Sequence, residues 1–155
     1  MSRLAAGFRS PELEPPREVA LSDAVSLACG GNGYWRGSAL FVYHNNGWTV
    51  FEDISGHHGF IPADTWREFA QTDDFVLAGY NDAAGSAELI VIEGGAVVRE
   101  FRHFHDDPES NIDLGKLADH PVEPLENWIQ VAEFVDDDPF VTCVRGLLWL
   151  HGTAE

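Results

Sequence analysis

Ala39-Leu40-Phe41-Val42-Tyr43-His44-Asn45-Asn46-Gly47-Trp48-Thr49-Val50-Phe51-Glu52-Asp53 is the stretch on which the fold turns. Its two runs of β-branched and aromatic residues, 39–44 and 48–53, suit a pleated, half-buried surface. Between them, Asn45-Asn46-Gly47 supplies residues that tolerate the positive φ of a tight antiparallel turn. The stretch therefore predicts a β-hairpin. A lone hairpin is marginal in water, so more strands or a helix must cover its apolar side.

The flanking sequence offers both. Phe75–Tyr80, Glu88–Ile92 and Ala96–Phe101 read as strands, divided by Asn81-Asp82-Ala83-Ala84-Gly85 and by Gly94-Gly95, which predicts a meander. Ser22 is placed to cap a helix over Asp23–Cys29, with Ala24, Val25 and Ala28 on one face and Gly30-Gly31 as its stop. Pro62 opens a second helix through Ala70, where Trp66, Phe69 and Ala70 recur at i, i+3 and i+4. Glu126–Val135 gathers Trp128, Ile129, Ala132 and Val135 on one side. Asp136-Asp137-Asp138-Pro139 has the grammar of a helix start ahead of Phe140, Val141, Val144, Leu147 and Leu148. Trp149 and Leu150 widen that face, so a short final strand is the alternative. Phe104–Pro124 is expected to be a polar loop of about 20 residues, longer than packing alone requires.

These elements predict an α+β fold: an antiparallel sheet of about five strands, hairpin plus meander, with helices packed on one face. Residues 1–18, with Pro11, Pro15 and Pro16, read as an extended arm, and 19–155 as a single domain. A chain of 155 residues buries roughly 70% of its unfolded surface, enough for an independent core. Five Trp, ten Phe and 45% hydrophobic content exclude a disordered acidic tail. Cys29 and Cys143 lack CxxC spacing, so both are expected as buried thiols in a reducing compartment. The N-terminus shows no apolar leader, and no run approaches the ~20 apolar residues of a membrane span, which together predict a cytoplasmic protein.

Charge narrows the partners. Against 26 Asp and Glu stand nine Lys and Arg, a net −17, and residues 106–138 hold 11 of the acids with Lys116 as their one base. Such a surface repels nucleic-acid phosphates and anionic membranes and attracts a basic protein. Motifs for catalysis are missing: there is no GxSxG, HExxH or P-loop, and Gly30-Gly31-Asn32-Gly33 is a helix stop rather than a dinucleotide fingerprint. His103-Phe104-His105 could place two imidazoles on one side of a strand, with His57-His58 as further ligands. HxH pairs are common at polar strand ends, however, so no bound metal and no cofactor is expected. The acidic runs Asp73-Asp74, Asp106-Asp107-x-Glu109 and Asp136-Asp137-Asp138 are each ordinary turn or cap sequences when taken singly. Trp35, Tyr43, Trp48 and Trp66 would ordinarily be core, with a partner anchor as the exception.

Several stretches together resemble the small acidic immunity proteins that accompany secreted bacterial toxins. They are Gly33-Tyr34-Trp35-Arg36-Gly37-Ser38-Ala39-Leu40, Trp48 through Gly56, Gly79-Tyr80-Asn81-Asp82, and Glu88-Leu89-Ile90-Val91-Ile92. Phe60-Ile61-Pro62-Ala63-Asp64-Thr65-Trp66-Arg67-Glu68-Phe69 is similar to the IPxxYxxF-like helix of the SUKH immunity superfamily, without the Asn-Gly-Gly that follows it there. The resemblance implies a non-catalytic inhibitor of a cognate toxin from a contact-dependent or type VI secretion system. On this expectation Asp106, Asp107, Glu109, Asp113, Asp136, Asp137 and Asp138 face Arg and Lys around the toxin's substrate site, and Trp35 or Trp48 anchors the contact. A small metal-dependent enzyme using His57, His58, His103 and His105 is the alternative from another class. An acidic interaction scaffold is the third.

Overall fold

The computed structural model describes residues 15–29, 37–45, 47–118, 123–135 and 144–151. In chain order the elements are β1 (Arg17–Ala20), α1 (Leu21–Ala28), β2 (Ser38–Asn45), β3 (Trp48–Asp53), α2 (Ala63–Ala70), β4 (Phe75–Asn81), β5 (Ser86–Glu93), β6 (Ala96–Phe104), β7 (Ile112–Gly115), α3 (Trp128–Val135) and β8 (Arg145–His151), with a short 3-10 turn at Pro108–Ser110. The α+β class is as expected, but the single sheet is not. Two antiparallel four-stranded sheets form instead, in the orders β1-β8-β2-β3 and β4-β5-β6-β7. The chain's contacts divide with them into a split unit, residues 1–58 with 139–155, and a continuous unit, residues 59–138.

In the split unit the hairpin forms as read, with Asn45 opposite Trp48 and Gly47 at φ 86 in the turn. Alternation along β2 buries Ala39, Phe41 and Tyr43. Ala24 of α1 and Leu148 of β8 complete that core, with Val19, Val50 and Leu150 beside it. The tail is the main correction here. Arg145–His151 is a strand, the alternative left open by Trp149 and Leu150, and it is inserted between β1 and β2. Gly146 makes the insertion close, because a Cβ there would lie 2.4 Å from the Val42 carbonyl oxygen and 2.7 Å from the Phe41 ring. A helix over these residues would leave the backbone of both neighbouring strands unpaired on that side. Arg17 and Glu18, assigned by sequence to the arm, pair in β1 with Leu148 and Leu147. α1 begins two residues early: Ala20 rather than Ser22 is its N-cap, and Ser22 lies within the helix, where its carbonyl accepts from Ser26 Oγ. Cys29 is a half-buried free thiol, and Cys143 lies outside the described residues.

In the continuous unit β5 is buried without a break from Ser86 to Ile92. A strand buried on both sides needs cover on both faces, and the helices provide it, which corrects the expectation of helices on one face. Ala87, Leu89 and Val91 pack with Val131 of α3. Ile90 and Ile92 pack with Ala63 and Ala70 of α2, flanked by Trp66 and Phe75, whose rings stack at 5.3 Å. The register slips between Val91 and Ile92, opposite Arg99 and Val97, leaving Val98 as the extra residue of a β-bulge in β6. The predicted loop after Phe104 is also shorter than expected, since it contains the 3-10 turn and β7, which pairs with Arg99–Arg102.

Candidate functional site

The continuous unit carries 19 Asp and Glu against four Lys and Arg, a net −15, whereas the split unit holds seven against five, a net −2. Two of the four bases, Arg99 and Arg102, are buried. The bulge turns Arg99, 1% exposed, beneath the loop that precedes α3. Its Nε donates to Glu123 Oε1 at 2.8 Å, and its Nη1 reaches Asp113 Oδ1 at 2.6 Å and the Leu114 carbonyl at 3.0 Å. Burial raises the Glu123 pKa, but the Leu117 N–H, the Arg99 guanidinium and the Leu125 N–H together hold it below the ordinary value. Arg102 donates to the carbonyls of Phe60 and Ile61. Opposite it on β5, Glu88 Oε1 accepts from Phe60 N–H at 2.6 Å. Burial pushes the Glu88 carboxyl up, against the pull of that hydrogen bond and of Arg102. These groups hold Phe60 at φ 58, a conformation uncommon for a bulky residue.

With those cations inside, the outer surface is strongly acidic. Among the described residues of this unit, twelve Asp and Glu are exposed, against Arg67 and Lys116. Asp106, Asp107 and Glu109 lie together on the exposed turn after β6. Asp107 is partly occupied there, since Ser110 Oγ donates to its Oδ2 at 2.6 Å. Asp113 is exposed but already pairs with buried Arg99, so its role is internal as well. Trp48 is 48% exposed at the hairpin end of the split unit. Trp35, Asp136, Asp137 and Asp138 lie outside the described residues.

The histidines have other company. His103 stacks on Phe101 within β6, while His105 lies just past the end of the strand beside Gly85. In the split unit, Ser38 Oγ lies 3.1 Å from His57 Nδ1, and Asp53 Oδ2 lies 3.1 Å from His58 Nδ1. A nucleophile–base pair needs its base oriented by a third group. Asp53 is taken up by Ser55 Oγ, Gly56 N–H and His58. Among the described residues, no three His, Cys, Asp or Glu side chains converge as a cation site.

Two features of the continuous unit were not anticipated. One is the buried Arg99–Glu123 pair, whose signal was an Arg following Val97-Val98 in the strand read over Ala96–Phe101. The other is an open cleft of about 640 Å3 between the start of α2 and the β6–β7 side of the sheet, with Val97, Leu114, Asp64, Arg67, Glu100 and Arg102 in its walls. None of the helices among the described residues is long and apolar enough to cross a membrane. No known protein family, curated protein or solved structure matches the chain.

Proposed function

We propose that this chain is an immunity protein that binds a basic bacterial toxin domain in the cytoplasm and occludes its substrate site, with no catalysis of its own. The observation that carries the reading is the concentration of charge: a net −15 on the continuous unit, with twelve of its described acids exposed and two of its four bases buried. A field of one sign raises the encounter rate with an oppositely charged surface, and complementary charges then fix the orientation. Asp106, Asp107 and Glu109 form the contact at its centre, meeting Arg and Lys that would otherwise hold the toxin's substrate.

Co-expression with the product of the adjoining upstream gene, and purification of the pair, tests the reading. The expected result is a stable complex and survival of cells that the toxin alone kills. If that product neither binds the chain nor harms cells that lack it, the proposal fails.

A further inference from the structure

β6 is nine residues long, but β7 pairs only with its part from Arg99 to Arg102. The chain leaves that row at Gly115. There φ is 74, and a Cβ would lie 2.0 Å from the Val98 carbonyl oxygen, so the backbone crosses close to the bulge, and Leu117 beyond it packs against the core under one face of the sheet. Among the described residues, Ala96 and Val97 have no strand on that side, whereas Val98 is already met by Gly115. Gly94 and Gly95, at φ 55 and 81, form a two-residue turn closed by the pair Glu93–Ala96. Hydrogen-bonded and non-bonded pairs alternate along an antiparallel ladder, so Val97, one step past the closing pair, turns its N–H and C=O away from β5 toward that side. The cleft opens beside the same residues, with Leu114 61% exposed on its wall.

We infer that an extended basic segment of the partner protein enters the row beside Val97 that no described strand fills, continuing the line of β7 as an added strand with side chains in the cleft. The inference rests on the functional reading above and deepens it by naming the mode of contact. Strand addition takes affinity from main-chain hydrogen bonds and specificity from alternate side chains. Here the added strand runs beside apolar Val97 and Leu114; Glu93 is exposed at the end of the row, and the cleft's Arg67 and Arg102 are matched by Asp64 and Glu100, so that the unit's net −15 is left to favour Lys or Arg. An acidic segment would meet the unit's net −15 as repulsion.

The probe is a six-residue peptide alternating lysine and valine, blocked at both ends and titrated into the whole protein by NMR. Intermolecular NOEs to Val97 and Leu114 are expected, while the same peptide with glutamate for lysine should give none. Val97→Pro, which an edge strand tolerates, and Leu114→Lys on the exposed wall should each weaken the lysine peptide at least fivefold. The inference is overturned if the peptide seats on β4 or elsewhere, if it does not bind, or if both folded variants bind it like the parent. It is also overturned if sedimentation finds a dimer of this chain that Val97→Pro dissolves, since the row then belongs to a second copy. With the adjoining gene's product as ligand, loss of binding in both variants is expected. Undiminished protection by both would remove strand addition and leave the immunity reading standing; a peptide seated at Val97 with no toxin partner would do the reverse.

Discussion

Arg99 shows how much one side chain determines in this molecule. It is 1% exposed and joins β6 to the loop before α3 through Glu123, and to β7 through Asp113 and the Leu114 carbonyl. A buried pair broken from one side leaves an uncompensated charge, at a cost of about 3–5 kcal/mol. Arg99→Met should lower the urea midpoint accordingly and raise the Glu123 pKa in a carboxyl NMR titration. A midpoint within error of the parent would show that Glu123 is satisfied without Arg99. Glu88 makes the opposite contribution. Its carboxyl is raised chiefly by burial, so between its unfolded value and its raised value the native state holds more protons than the unfolded chain. Stability therefore falls as pH rises through that window, and the cost is complete above the raised value. Glu52, raised by burial and partly relieved by the Tyr43 hydroxyl, adds in the same direction. Glu123, lowered overall, contributes stability above its unfolded value that is lost as pH falls through its folded value. Glu88→Gln should gain melting temperature over the parent in alkaline buffer, with the gain shrinking as pH falls toward the ordinary carboxylate value. A gain independent of pH would refute the assignment.

At the scale of elements, β7 is the weakest piece of its sheet and depends on one glycine. Gly115 combines φ 74 with backbone contact at Val98, so Gly115→Ala is strained both by conformation and by collision. The left-handed conformation alone costs a residue with a Cβ about 1–2 kcal/mol. We expect a loss of about 2 kcal/mol or more, with hydrogen exchange accelerated over Ile112–Gly115 while β5 stays protected. Exchange that speeds equally in β5 would mean that β7 does not open by itself. β5 gains its resistance from the two helix-covered faces, whereas β7 has Leu114 in solvent and pairs on one side only.

For the whole molecule, the immunity reading proposed above has the division of charge between the two units govern association. Asp106→Asn, Asp107→Asn and Glu109→Gln together remove three charges from the exposed turn. Asp113 is left intact, because neutralising it would strip a partner from Arg99. Each amide retains an acceptor, so the Ser110 contact to residue 107 can persist. The association rate with the toxin should fall about tenfold at low salt, the parent's rate should fall toward the variant's as salt rises, and dissociation should change less. A rate indifferent to both changes would place the contact elsewhere.

Much of this fold was legible locally. The hairpin at 39–53, the meander strands and the Pro62 helix each carry their own period and turn residues, and side-chain alternation within a strand needs no distant partner. The carboxylates at 106, 107 and 109 were equally plain as exposed turn acids. Periodicity misled at 145–151, where apolar spacing fits a helix and the deciding factor is backbone pairing with residues more than 90 positions away. The number of sheets, the helices on both faces of β5, and the inward roles of Arg99, Arg102 and Asp113 were likewise decided in three dimensions. Composition determined that this protein is acidic; tertiary structure decided which acids are consumed inside and which stay exposed. The physical reason is that a charge acts outward only when its neighbours in space leave it unpaired, and those neighbours come from segments far apart in the chain.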